Sequence, residues 1–188
     1  MTLRVAVIDD WQNVARSSAD WRELQRRAEV VFFDKPFGDR AALVAAVRDF
    51  DVLIPMRERT RFPAEVIAAL PRLRMIAVTG LRIWTLDIEA CTARGIVVSN
   101  TGAQSSGAAT AELALGLMLA AVRHIPHGHA SIQGGGFQSG VAAGAVLEGK
   151  TLGVIGLGKI GSRLARYGRA LGMRVLAWSS NLTPERAA

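Results

Sequence analysis

The chain has 188 residues, half of them hydrophobic and 21% charged, which is the profile of a folded chain and excludes a disordered or low-complexity one. Its longest apolar run, Leu113 to Val122, is about half the length that a membrane span needs, so no membrane partner is expected. The net charge of +7 is uneven, with 15 basic and 14 acidic groups in residues 1–112 but 8 and 2 in residues 113–188, and no recognition helix, zinc spacing or basic–aromatic interleaving accompanies it, so nucleic acid is not an expected partner either.

The first hundred residues alternate short apolar runs with helical patterns. "LRVAVID" (Leu3 to Asp9), "EVVFF" (Glu29 to Phe33), "DVLIPM" (Asp51 to Met56), "LRMIAVT" (Leu73 to Thr79) and "GIVVSN" (Gly95 to Asn100) read as strands. Helix candidates lie between them: Trp21 to Ala28, Arg40 to Asp49, Pro63 to Ala69 and Leu86 to Arg94. Apolar residues three or four apart, such as Leu43, Val44 and Val47, mark their inner faces. Pro63 suits a first helical turn and Gly95 a position just past a helix end. Near-continuous apolar strands between amphipathic helices predict a small, five-stranded, doubly wound α/β domain with a parallel sheet.

The pattern changes near Asn100, which divides the chain into domains 1–100 and 101–188. "TAELALGLMLAAVRHI" (Thr110 to Ile125) is a helix apolar on most sides, and such a helix must be buried between domains or subunits. A helix tail and a loop rich in Gly and small residues then lead to strands that begin at Thr151. His124, His127 and His129 cluster there, but Pro126 and Gly128 interrupt the helix between them, so a solvated helix end is expected and no metal site.

Gly156, Gly158 and Gly161 form G-x-G-x-x-G between the strand "TLGVI" and a helix carrying Ile160, Leu164, Tyr167 and Leu171 on one face, with Gly172 as its stop. "MRVLAW" is the next strand, which completes a β-α-β. Accidental glycines in a structural turn would not be expected to agree with both flanking elements. Each glycine has a physical task in a dinucleotide fold: Gly156 for the tight turn, Gly158 for backbone approach to the pyrophosphate, Gly161 for close helix–strand packing. The pyrophosphate would sit on amides at the helix N-terminus. The local excess of cations suits phosphate, or an acidic partner surface. At the end of the second strand, where a carboxylate would bond the ribose of NAD, the chain reads Trp178, Ser179, Ser180, Asn181. Ser179, Ser180 and Asn181 can donate to a 2′-phosphate and none repels it, which tilts the cofactor towards NADP over NAD. Arg186 lies nearby, away from the usual place of an arginine clamp.

The acidic pair Asp9 and Asp10 ends the first strand, as in phosphoacceptor receiver modules. That chemistry also needs an Asp at the exit of the third strand, where Pro55 and Met56 stand, so the pair is expected to cap the following segment. "PMRERT" and "VTGLR" also follow strands, and ligands of open α/β sheets bind beyond strand carboxyl ends. Arg57 and Arg59 should point apart, and Arg57 is favoured to face a carboxylate. The lone Cys91 allows no internal disulfide and reads as a buried helical residue. With no cleavable-signal pattern at the N-terminus, a cytoplasmic protein is expected.

Together "MRERT", "RMIAVTGLRIWTLDIEACTARGIVVSNTGA", "ATAELALGLMLA" and "LEGKTLGVIGLGKIGSRLARYGRALGMRVLAWSSNLTPERAA" resemble, in order and spacing, the D-isomer-specific 2-hydroxyacid dehydrogenases. The resemblance implies a flavodoxin-like substrate domain followed by the first β-α-β of a Rossmann domain. It implies an oxidoreductase, usually dimeric, that moves a hydride between NAD(P)H and a small 2-keto or D-2-hydroxy acid. By the same resemblance Gly80 and Leu81 offer backbone amides to the substrate carboxylate, Thr110 lies near the nicotinamide, and Leu157, Gly158, Lys159 and Ile160 wrap the pyrophosphate. The sequence departs from the family at Ile83 and Trp84, which replace a polar stretch, at Leu113, which replaces a common His, and at Phe137, which replaces a common Trp. The family's catalytic Arg, His and Glu would lie beyond Ala188, so no catalytic residue is assigned within these 188 residues and the chain alone is expected to be inactive. The alternative is a non-catalytic nucleotide-binding or oligomerisation module.

Overall fold

The computed structural model describes residues 2–81, 83–102 and 106–183. Two compact units make up the chain, Met1–Ala103 and Gln104–Ala188.

The first unit is built on five parallel strands, β1 (Leu3–Ile8), β2 (Ala28–Phe32), β3 (Val52–Pro55), β4 (Met75–Val78) and β5 (Val97–Asn100), in the order β2-β1-β3-β4-β5. That is the flavodoxin-like doubly wound order. Helices α1 (Ala15–Ser18), α2 (Arg22–Arg27), α3 (Arg40–Val47), α4 (Ala64–Ala68) and α5 (Ile88–Ala93) connect the strands. Strand periodicity sends Ala6, Ile8, Leu53, Ile76 and Val78 into one core with Leu43, Val47, Val66, Ile67 and Cys91 of α3, α4 and α5. Asp39 and Asp87 accept from the amides of Ala42 and Ala90 and so start α3 and α5, as N-cap carboxylates do. Gly95 stands just past α5 at φ 67, a left-handed position that glycine takes without steric cost. The first helix candidate is shorter than its apolar pattern, because Ala28 already pairs with Leu3 as the start of β2.

At the amino end of this sheet Asp51 is nearly buried. Its Oδ2 accepts the Arg4 amide at 2.9 Å, and Arg72 Nη2 lies 3.2 Å from both carboxylate oxygens. Burial pushes this carboxyl up, but the Arg4 amide and the guanidiniums of Arg72 and Arg74 outweigh burial and hold it below the ordinary Asp range. The folded state therefore binds this proton less tightly than the unfolded chain. Asp51 contributes stability above the unfolded value, about 3.9, and loses it as pH falls through its lower folded value. Urea unfolding of Asp51→Asn against wild type should show the difference at neutral pH and a narrowing gap below about pH 4. A gap independent of pH would contradict the assignment.

In the second unit α6 (Ala108–Val122) is followed by α7 (Ile125–Gln133), then by the parallel pair β6 (Thr151–Ile155) and β7 (Arg174–Trp178) with α8 (Lys159–Ala170) between them. The helix tail expected after Ile125 is a helix of its own. His124 turns left-handed at φ 53, and Pro126 stands in the first turn of α7, where its missing N–H is harmless. Proline starts this helix where an interruption was expected. Ala145 closes α6 by donating its amide to the Val122 carbonyl at 2.8 Å. The only buried residue of α6 is Ala111, while Leu113 and Leu117 are 62% and 61% exposed. Among the described residues no single helix is long and apolar enough to cross a membrane.

Candidate functional site

Two sets of candidate residues stand one in each unit. In the first unit the carboxyl ends of β3 and β4 carry Arg57 and Gly80. Arg57 has φ 69 and its amide donates to Thr79 Oγ1 at 3.2 Å; Thr79 in turn donates to the Pro55 carbonyl at 3.0 Å. Gly80 has φ 143, and a Cβ placed on it would lie 3.3 Å from Arg57 Nη1. A glycine is therefore needed at position 80 for backbone conformation, and its bare face is where the Arg57 guanidinium comes to rest. Arg57 and Arg59 do point apart. Arg59 Nη1 donates to the Asp9 carbonyl at 2.5 Å and its guanidinium lies 4.9 Å from the Trp11 ring centroid. Arg59 is thus committed to the fold, and Arg57 is the cation beside Gly80. The Gly80 amide is engaged within the chain, donating to Thr101 Oγ1 at 3.0 Å and to the Val78 carbonyl at 3.1 Å. A carboxylate taking that amide must displace the Thr101 hydroxyl. Leu81 is exposed and lines an open pocket of about 360 Å³ with Ile83, Trp84 and Ile88. The neighbouring Arg82 lies outside the described residues.

The acidic pair divides its work. Asp10 caps α1, its two oxygens accepting the amides of Val14 and Ala15 at 2.8 and 3.0 Å. Asp9 does not cap; it accepts from the amide and the hydroxyl of Thr60. Burial pushes the Asp9 carboxyl above the ordinary range, against the two Thr60 donors and Arg59, which pull it back.

The second unit holds the glycine loop. Gly156 has φ 93, and its amide donates to the Trp178 carbonyl at 2.6 Å, tying the loop to the end of β7. A Cβ on Gly161 would lie 1.9 Å from the Gly156 carbonyl oxygen, so no other residue fits there. Gly158 is different: its φ of −84 suits any residue and nothing lies within 4 Å of where its Cβ would be. No neighbour in the fold requires a glycine at 158; an approaching ligand backbone or phosphate would. It is also the N-cap of α8 and supplies no side-chain cap, so no capping side chain occupies the first-turn amides from Lys159 onward, as a pyrophosphate seat requires. These residues fit the dinucleotide's pyrophosphate. The Leu157 carbonyl accepts from Ser162 Oγ at 3.2 Å and holds the loop's outer turn.

The start of α6 abuts this loop. A Cβ on Gly107 would come within 3.0 Å of Ile160 Cγ1, and Arg163 Nε donates to the Ser106 carbonyl at 2.9 Å. Thr110, exposed in the first turn of α6, is thereby brought to the same end as the glycine loop. Helix α8 lies close on β6 through Gly168, whose Cβ would meet Leu152 Cδ2 at 2.6 Å; sequence periodicity pointed to its apolar neighbours and missed this glycine. Beyond β7, Ser179, Ser180 and Asn181 form a turn closed by the Leu182 amide on the Ser179 carbonyl at 3.0 Å, with no carboxylate from 178 to 183. Arg186 lies outside the described residues. Among the described residues no histidine pairs with a carboxylate, and no group of three or more His, Cys, Asp or Glu could hold a metal. His127 Nε2 lies 3.0 Å from the Gly140 carbonyl.

Residues 115–188 match the family model of the D-isomer specific 2-hydroxyacid dehydrogenase NAD-binding domain. The D-3-phosphoglycerate dehydrogenase of Mycobacterium tuberculosis is 39% identical over 188 residues, which is all of this chain and 34% of that protein. The phosphoglycerate oxidoreductase of Vibrio cholerae has a solved structure that superposes with a TM-score of 0.90 at 34% identity, covering 99% of this chain and 59% of that one. A 3-phosphoglycerate dehydrogenase of Entamoeba histolytica, solved with NAD+ bound, gives a TM-score of 0.67 at 26% identity, covering 99% and 57%. The chain thus spans about a third of the length of the curated relatives it matches. The family-model match, the identity over the whole chain and the shared fold lead to one conclusion: the chain belongs to the D-isomer specific 2-hydroxyacid dehydrogenase family.

Proposed function

We propose that this chain supplies the carboxylate seat and the pyrophosphate seat of an oxidoreductase that transfers a hydride between NAD(P)H and a small 2-keto or D-2-hydroxy acid. The observation that carries this reading is the asymmetry of the glycines: position 161 needs glycine for internal fit, whereas position 158 faces open space. When bound, the nicotinamide supplies the hydride chemistry. Arg57 binds and orients the substrate carboxylate, with the amides of Gly80 and Leu81 beside it. The amides from Leu157 to Ile160 hold the pyrophosphate, and Thr110 lies towards the nicotinamide. No proton donor is assigned among these residues, so the 188-residue chain is expected to bind both ligands without turnover. The turn Ser179–Ser180–Asn181, which lacks a carboxylate, supports NADP(H) over NAD(H).

Titration of the chain with NADPH and NADH, then with oxamate (a 2-keto acid analogue) at saturating nucleotide, tests the reading. NADPH should bind more tightly than NADH. Arg57→Ala should weaken oxamate by about 1.5–3 kcal/mol, the range for a hydrogen bond to a charged group, with nucleotide binding unchanged. Oxamate binding that ignores Arg57 removes the carboxylate seat; NADH bound tenfold tighter than NADPH removes the cofactor preference.

The exposed Leu113 and Leu117 on α6 support a homodimer through that helix. Light scattering should give twice the chain mass, and a strictly monomeric, non-aggregating sample would count against it.

A further inference from the structure

In the sheet order β2-β1-β3-β4-β5 the winding reverses between β1 and β3, where ligands of such folds usually bind. In this chain the two strand exits are bridged by the chain's own side chains. Asp9 leaves β1 at φ 65 and is fully buried. Its Oδ1 accepts from Thr60 Oγ1 at 2.6 Å and its Oδ2 from the Thr60 amide at 3.1 Å. Beside it, Arg59 Nη1 reaches the Asp9 carbonyl at 2.5 Å and Arg59 Nη2 reaches Gln12 Oε1 at 3.3 Å. The bridge joins residues fifty-one positions apart, and the carboxylate seat uses none of these groups.

The loop between β3 and Phe62 is thereby held at both ends. At its start the Met56 amide donates to the Ile8 carbonyl at 3.0 Å and the Arg57 amide to Thr79 Oγ1 at 3.2 Å. At its end stands Thr60 on Asp9. Between the anchors Arg57 is left-handed, a conformation that a non-glycine residue keeps only where its surroundings over-determine it. That conformation turns its guanidinium away from Arg59 and onto Gly80. We infer that the Asp9–Thr60 pair is a positioning device: it bridges the point where the sheet reverses and holds Arg57 against Gly80, so that the carboxylate binds at the β3 and β4 exits instead of between β1 and β3. The inference rests on Arg57 and Gly80 being the carboxylate seat. Thr60 is a positioning residue here and touches no substrate.

Two readouts on the whole chain test it: hydrogen exchange of the backbone amides from Arg57 to Thr60, and oxamate titration at saturating NADH. Thr60→Val removes the hydroxyl donor at nearly constant size. It should speed exchange at these amides and weaken oxamate, each by about tenfold, the scale of one lost hydrogen bond to a carboxylate. Thr60→Ser keeps the donor and should restore both to within about twofold of wild type. Wild-type exchange and affinity in Thr60→Val overturn the inference, as does a loss that Thr60→Ser fails to restore. Should Thr60→Val not fold, Thr60→Ala serves in its place, because it too removes the hydroxyl that donates to Asp9; unchanged exchange there also overturns it. If Arg57→Ala leaves oxamate binding intact, the carboxylate seat itself is wrong, and exchange alone then decides whether the pair holds the loop.

Discussion

Gly161→Ala should weaken NADPH or NADH binding by at least about tenfold and lower stability by about 1–3 kcal/mol. Its Cβ would stand 1.9 Å from the Gly156 carbonyl oxygen, 3.0 Å from the Gly156 carbonyl carbon and 3.1 Å from Val154 Cγ1. Two of these atoms are backbone of the glycine loop and cannot rotate away. The helix must move off β6, or Gly156 must leave the φ of 93 that points its amide at Trp178. Either movement opens the glycine loop, the proposed pyrophosphate seat. Gly158→Ala is the matched control, since its added methyl meets no protein atom within 4 Å. It should leave the melting temperature unchanged or slightly raised, because alanine restricts the unfolded chain, and still lose nucleotide affinity. Differential scanning fluorimetry and nucleotide titration on both variants separate internal fit from ligand fit. A Gly158→Ala chain that binds nucleotide like wild type would remove the observation on which the functional reading stands.

Phe62→Ala should cost about 3–5 kcal/mol, the largest stability loss expected from a single truncation in the first unit. Phe62 is wholly buried and belongs to the core cluster that also holds Val66, Ile67, Leu70, Ile76, Val78 and Leu86. It also pairs in parallel with Leu86: its amide donates to the Thr85 carbonyl at 2.7 Å, and its carbonyl accepts the Asp87 amide at 3.0 Å. The segment bearing Arg57 and the one bearing Gly80 both end on this pairing. A cavity there loosens the far ends of both strand-exit loops, so oxamate affinity should fall together with stability. Urea unfolding with an unchanged m-value, read beside the oxamate titration, checks it. A loss under 1 kcal/mol would mean that the site collapses around the missing ring and that the loops do not depend on it.

Much of this was legible in the residues themselves. Apolar runs such as Val52 to Pro55 and Met75 to Val78 read as strands, and the structure buries one face of each and half-buries the other; parallel strands require crossovers, here helical. Gly156 and Gly161 are local requirements, one of φ and one of volume, and both show in the spacing of the motif. Other features have no local signature. Asp9 and Asp10 are adjacent and chemically identical, yet one caps α1 and the other reaches Thr60, because a single left-handed φ at Asp9 turns its side chain the other way. Arg57 and Arg59 could be expected to diverge, but the commitment of Arg59 to Asp9 and Trp11 depends on a strand exit fifty positions earlier. Pro126 did have a local signal: a proline suits the first turn of a new helix as well as it breaks an old one, and the left-handed His124 before it decides which.

By itself the sequence determined the fold class, the strands from which the sheet is built and the glycine loop before α8, since these follow from hydrophobic period and from backbone geometry that only glycine allows. The tertiary structure decided which arginine rests on Gly80 and which on Asp9, which aspartate ties two loops together, and that the Gly80 amide is held by Thr101. Those are choices among chemically equivalent groups. They are settled by partners twenty to fifty residues away, and only the folded sheet brings such partners within a hydrogen bond's length.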